Sequence, residues 1–136
     1  YEYRIYSAPF SMPIRRLYAH FTYVPLDVER MRRAAAFLVG EHDFKSFCSS
    51  RSQVENTVRA ITDITIDKFG DMIYIRISGN GFLYNMVRII VGTLMKIGLG
   101  IWPEDCMESI LESKDRTKAG PKAEAKGLTL VEIKYL

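Results

Sequence analysis

Ser78-Gly79-Asn80-Gly81-Phe82-Leu83-Tyr84-Asn85-Met86-Val87-Arg88-Ile89-Ile90-Val91-Gly92 reads as a strand running out, a tight glycine turn and an apolar helix beginning. Leu83, Val87, Ile90, Leu94 and Ile97 follow one another at steps of four, three, four and three. That spacing predicts a continuous helical stripe over residues 83 to 97. Met86, Ile89 and Val91 make the flanks apolar too, so the helix belongs at the centre of the molecule. Arg88 interrupts it. A cation in the first turns of a helix opposes the helix dipole, and a guanidinium beside a core needs an anion or a route to water. Two readings stand side by side: a snorkelling or structurally paired arginine, and a site arginine aimed at a carboxylate or phosphate.

Immediately before this stretch, Ala60, Thr62, Ile64 and Ile66 alternate with polar residues, as do Ile73, Ile75 and Ile77, around a join at Lys68-Phe69-Gly70-Asp71. Two such runs predict a hairpin with one buried face. After it, Gly98-Leu99-Gly100 ends the central helix. Pro103 can open another, with Cys106, Met107, Ile110 and Leu111 on one face. Lys114 to Lys126 is a basic loop, and Leu128 to Tyr135 alternates as a last strand. At the other end, Tyr1, Tyr3 and Ile5 alternate with Glu2 and Arg4. Residues 9 to 26, with Pro9, Pro13 and Pro25, form a connector with short ordered pieces. Asp27 suits a helix N-cap, Glu29 its first turn, and Met31, Ala34, Ala35 and Leu38 its buried stripe, with Gly40 as the stop. Arg30, Arg32 and Arg33 lie on the opposite side, as a solvated face or a set of phosphate contacts.

Glu41 to Phe47 reads as a loop or short turn plugged into the core by Phe44 and Phe47. Its His42-Asp43 pair invites a catalytic reading, but no Ser or Cys nucleophile is spaced to suit. Ser49 to Asn56 is polar, with Arg51 exposed. The resulting order is an α+β, ferredoxin-like split β-α-β arrangement: an antiparallel sheet backed by helices, with RRM-like topology. Many functions use that architecture. The glycine–aromatic strand motif of RRM domains is absent from Met72 to Ser78, and Gly79-Asn80-Gly81 lacks the rest of a dinucleotide fingerprint.

Composition sets the outer bounds. The 136 residues are one domain by length, and 48% hydrophobic content argues against disorder. A net charge of +3 and a pI near 8.9 permit nucleic-acid binding without demanding it. Cys48 and Cys106 are isolated, which argues against a disulfide framework or a zinc site and fits a reducing, cytoplasmic compartment. Arg88, Gly92 and Lys96 break the apolar helix too often for a membrane span. The chain opens Tyr1-Glu2-Tyr3 rather than with Met, which reads as a piece of a longer protein.

Several segments, in this order and spacing, resemble the tRNA pseudouridine synthase A (TruA-type) family. They are Leu26-Asp27 with Met31, Gly40-Glu41-His42-Asp43-Phe44-Lys45-Ser46-Phe47, Thr57-Val58-Arg59, Gly81 through Leu94, and Asp115-Arg116. The likeness is to the C-terminal half of that family and covers nearly the whole chain. It implies isomerisation of uridine to pseudouridine in the tRNA anticodon stem–loop, on a base taken out of its stack, with no metal or organic cofactor. It assigns Tyr1 as the active-site tyrosine lying against the target base, Arg88 as the basic partner of the catalytic aspartate, and Leu128 as the apolar pocket wall. His42, Ser46, Phe47, Asn80 and Arg116 become substrate-binding candidates by the same likeness. It also implies tRNA as substrate, a homodimeric full-length enzyme and no membrane partner.

The family's catalytic aspartate lies in a Gly-Arg-Thr-Asp segment of the N-terminal half, which this sequence lacks; Asp115-Arg116-Thr117 belongs to the C-terminal pattern. The expectation is therefore a C-terminal, catalytic-support and RNA-binding domain over residues 1–136, inactive alone, whose Arg88 lacks its anion. Replacing Arg88 should then do little harm to folding. Two other classes remain at this level: a non-catalytic RNA-binding domain, and a small-molecule or dimerisation domain of the same topology.

Overall fold

In the computed structural model, residues 1–7, 20–22, 25–49 and 55–129 are described. The predicted hairpin forms its spine. Strands β4 (Val58–Phe69) and β5 (Met72–Gly79) pair antiparallel up to Phe69↔Met72, leaving Gly70-Asp71 as a two-residue turn. Gly70 takes φ +60° at the first turn position, where a side chain is rarely accommodated. Ile73, Ile75 and Ile77 are all fully buried. On β4 the buried residues are Ile61 and Ile66, which strict alternation would place on opposite faces. A bulge resolves the conflict. Ile61 pairs with Gly79 and Asp63 with Ser78, so Thr62 is an extra residue that resets which parity faces inward. The expected face of Ala60, Thr62, Ile64 and Ile66 thus holds only beyond the bulge, and Thr62 itself is exposed.

Strand β1 (Glu2–Ser7) lies antiparallel to β5, and β6 (Leu128–Thr129) pairs antiparallel with β1 through Tyr3↔Leu128. The path β6-β1-β5-β4 is that of the ferredoxin-like split β-α-β arrangement. Two short strands extend it into a six-stranded sheet. β2 (His20–Thr22) runs parallel to β1, and β3 (Gly40–Asp43) pairs antiparallel with β4. Of the loop or short turn expected at Glu41 to Phe47, the first part is an edge strand, and the turn is a 3₁₀ turn at Lys45–Phe47. Its charged residues hide it from periodicity because backbone pairing, rather than a buried face, holds it.

Helix α1 (Val28–Ala36) starts at Asp27, whose carboxylate accepts the Arg30 N–H at 3.2 Å, and buries Met31, Ala34 and Ala35. It ends before Gly40, which instead opens β3 at φ +110°. Helix α2 (Met86–Gly98) is the central one, buried from Met86 to Gly98 apart from Arg88 and Lys96. It begins three residues later than the apolar stripe predicts. Asn85 in the left-handed region, at φ 61°, breaks the backbone there. Helix α3 (Cys106–Ser113) buries Met107, Ile110 and Leu111, the face read from the sequence. Helices and strands share one core that includes Tyr3, Ile5, Phe44 and Phe47. Expectations for Pro9, Pro13, Arg51 and the strand beyond Thr129 lie outside the described residues. No helix among them is long and apolar enough to cross a membrane.

Candidate active site

The turn between β5 and α2 opens a cleft of about 330 Å³ lined by Tyr1, residues 82–88 and Leu128. Three parts of the chain meet there. Tyr1 is fixed by the sheet: its N–H donates to Ile77 at 3.1 Å and its carbonyl accepts the Ile77 N–H at 2.9 Å. Its ring meets Phe82 edge to face with centroids 5.2 Å apart. Leu128 arrives through the β6–β1 pairing. Arg88 comes from the first turn of α2. The residues that the family likeness assigns to the base and to the catalytic carboxylate therefore line one cleft.

Arg88 is half-buried, and its Nε donates to the Ala123 carbonyl at 2.8 Å. Its Nη1 reaches Asn85 Oδ1 at a long 3.5 Å. Among the described residues no carboxylate pairs with it. A guanidinium carries five donors, and only two are engaged by these neutral acceptors. The cation is thus aimed and held while retaining capacity for an anion. Asn85 pairs its left-handed backbone with this contact. Such a conformation costs energy and tends to cluster at sites that need a particular geometry.

Below the cleft, the Tyr3 hydroxyl donates to the Glu124 carbonyl at 2.7 Å. Burial pushes the Tyr3 phenol well above its ordinary value; the Glu124 charge adds to this and the Arg88 charge opposes it. Tyr3 therefore stays a neutral donor that anchors the segment leading to Leu128. Reading β1 by alternation identifies Tyr3 as core and gives no hint of this anchoring, because its partner lies near the other end of the described chain.

The remaining candidates fall elsewhere. Ser46 and Phe47 are fully buried. The Ser46 hydroxyl donates to the Ile110 carbonyl at 2.6 Å and accepts the Asp115 N–H at 3.0 Å, which ties the 3₁₀ turn to the end of α3. Both side chains face the core, and the geometry here gives them a structural role. His42 sits on the β3 edge with Nε2 3.1 Å from the Val39 carbonyl and its ring against Phe44. Asn80 is exposed, and its side chain accepts the Ala60 N–H at 3.0 Å, completing the end of the β4–β5 ladder. Arg116 donates to the Gly120 carbonyl at 3.0 Å. None of these five lines the cleft. Tyr84 does, at 65% exposure, and no periodicity singled it out.

The arginines of α1 already hold partners within the domain. Arg30 donates to the Ile97 and Trp102 carbonyls, at 3.1 and 3.0 Å, at the end of α2. Arg32 is held by Glu29 and the Ile66 carbonyl, and Arg33 by Glu104. Lys118 and Lys122 are exposed and carry no such contact.

A family model described as tRNA pseudouridine synthase matches residues 34–136. The chain is 50% identical over 135 residues to tRNA pseudouridine synthase A of Thermoanaerobacter sp. (strain X514), covering 99% of this chain and 55% of that protein. It is 48% identical to that of Brevibacillus brevis over 135 residues, at 99% and 55% coverage, and 47% identical to that of Streptococcus pneumoniae over 138 residues, also at 99% and 55%. The chain thus spans about half the length of the curated relatives it matches. With the family match reaching from α1 to the end of the sequence, the chain belongs to the tRNA pseudouridine synthase family.

Proposed function

We propose that this chain is the C-terminal, catalytic-support domain of an enzyme that isomerises uridine to pseudouridine in the anticodon stem–loop of tRNA, acting as a homodimer in the cytoplasm. The observation that carries the reading is the meeting of Tyr1, Arg88 and Leu128 in one cleft, with Arg88 aimed but lacking a carboxylate among the described residues. In the reaction the C1′–N1 glycosidic bond breaks, the base turns, a C1′–C5 bond forms, a proton leaves C5 and N1 gains one. An aspartate from the part of the relatives' length not covered here would loosen the glycosidic bond. Arg88 would keep that carboxylate ionised and oriented, since a neighbouring cation lowers a carboxylate pKa. The Tyr1 ring and Leu128 would hold the flipped base by flat and apolar contact. The domain supplies orientation and charge stabilisation, which cannot replace the group that attacks.

The test is tritium release from C5-labelled, unmodified tRNA. The full-length protein should turn over and the 136-residue chain alone should not. Turnover by the purified chain, above a control for contaminating enzyme, would refute the assignment.

A further inference from the structure

Residues 119–123 cross helix α2 as a strap, and the crossing is closer than side chains permit. A Cβ on Gly92 would lie 1.6 Å from the Pro121 carbonyl oxygen, and a Cβ on Gly120 would lie 2.8 Å from Thr93 Cα. Backbone therefore rests directly on backbone, which only glycine at both positions allows. Thr93 locks the crossing. It is fully buried, its hydroxyl donates to the Ile89 carbonyl at 2.9 Å, and the same oxygen accepts the Gly120 N–H at 2.9 Å. From outside, Arg116 holds the Gly120 carbonyl at 3.0 Å. The strap then delivers Ala123 to Arg88 at two points. The Ala123 N–H donates to the Arg88 carbonyl at 3.0 Å, and the Ala123 carbonyl accepts from Arg88 Nε at 2.8 Å.

We propose that Thr93 is a positioning residue for Arg88, acting through the strap seated in the Gly92–Thr93 notch, with Arg116 as a second fastening. The inference rests on the reading of Arg88 given above. Without the Thr93 hydroxyl the Gly120 N–H is buried and unmet, so the strap must lift to find water. Lifting moves Ala123, and with it the direction of the guanidinium. A displacement of about 1 Å at a group that orients a reacting centre is worth about 100-fold in rate.

The experiment measures kcat and KM of the full-length enzyme on unmodified tRNA, in wild-type and Arg88→Lys backgrounds. Thr93→Val should lower kcat about 10- to 100-fold with KM nearly unchanged, and Thr93→Ser should restore most of it. In the Arg88→Lys background Thr93→Val should add almost nothing, because lysine lacks the Nε–H that the Ala123 carbonyl holds, so the strap no longer sets the direction of the cation. An equal loss in both backgrounds, or a loss confined to KM, overturns the inference. Arg116→Gln covers the case in which Thr93→Val does not fold. It should give a smaller kcat loss that also vanishes with Arg88→Lys, whereas a raised KM with intact kcat would make Arg116 an RNA contact and overturn the strap argument. If Arg88→Lys and Arg88→Ala themselves leave kcat untouched, the reading of Arg88 has failed, and the inference with it. A Thr93 loss that persists undiminished beside a damaging Arg88→Lys refutes the inference alone.

Discussion

Replacing Arg88 by Ala separates what the guanidinium does for the fold from what it does for the reaction. For the fold, the loss is one good charged hydrogen bond, Nε to Ala123 at 2.8 Å, and one marginal contact to Asn85 at 3.5 Å. A hydrogen bond from a charged donor contributes about 1.5–3 kcal/mol. Arg88 is half-buried, and Ala123 keeps its own N–H bond to the helix, so about 1–2 kcal/mol is expected. A domain of ordinary stability survives that. For the reaction, a carboxylate about 4 Å from the guanidinium in a partly solvated site gains about 4 kcal/mol. If that interaction is lost in the transition state, kcat falls about 1,000-fold. Urea unfolding of the variant should show the small number and single-turnover tritium release the large one, with tRNA affinity nearly intact. Arg88→Lys should recover part of the rate, since an ammonium lacks the planar fork. A kcat loss under tenfold, or one fully accounted for by unfolded protein, would refute the reasoning.

Two further outcomes follow from charges outside the cleft. Glu2 is buried with Arg4 at 2.8 Å and Arg76 at 2.7 Å. Burial pushes its carboxyl up, but the hydrogen bonds and charges of the two arginines outweigh this and hold it below the ordinary 4.5. A lowered folded-state value means the pair stabilises the fold above the unfolded carboxyl's titration and stops doing so as pH falls through the folded one. Glu2→Gln should therefore cost about 1–2 kcal/mol at pH 7, less than a fully buried pair because both arginines can rehydrate, and little in acid below the folded value. A cost in urea unfolding that is the same on both sides of that range would contradict this. For tRNA binding by the full-length enzyme, Lys118→Gln with Lys122→Gln should make the slope of log affinity against log salt shallower by about 1–2, while Arg33→Gln, already paired with Glu104, should leave it alone. A slope indifferent to the lysines would remove them from the RNA surface.

The hairpin, the central helix and the α3 face were legible because each is a local pattern with one buried side. β3 was not, because Glu41, His42 and Asp43 are held by backbone pairing to β4 and show no apolar period. The Thr62 bulge was hidden for a related reason: alternation looks regular on either side of it, and only pairing to β5 reveals the extra residue. In the cleft, Arg88 stood out as a charge on an apolar helix, yet its partner Ala123 could not be inferred from any spacing. The expectation that removing Arg88 does little harm to the fold now carries a small cost, since the cation is hydrogen-bonded rather than stranded. The fit between Gly92 and Gly120 depends on backbone contact between distant segments, and a glycine by itself carries no such address.

The pairing of β6 with β1 has a consequence for biosynthesis. Tyr1 and Leu128 stand at opposite ends of the described chain, and the cleft needs both. A ribosome releasing this segment from its N-terminal end exposes β1 long before β6 exists, so the cleft closes only after the helices and hairpin have been made. Contacts of such long sequence separation form late and slow the folding of a domain. Incomplete chains would thus carry no formed pocket and an unpaired Glu2–Tyr3 stretch of β1, a bare edge that favours chaperone contact.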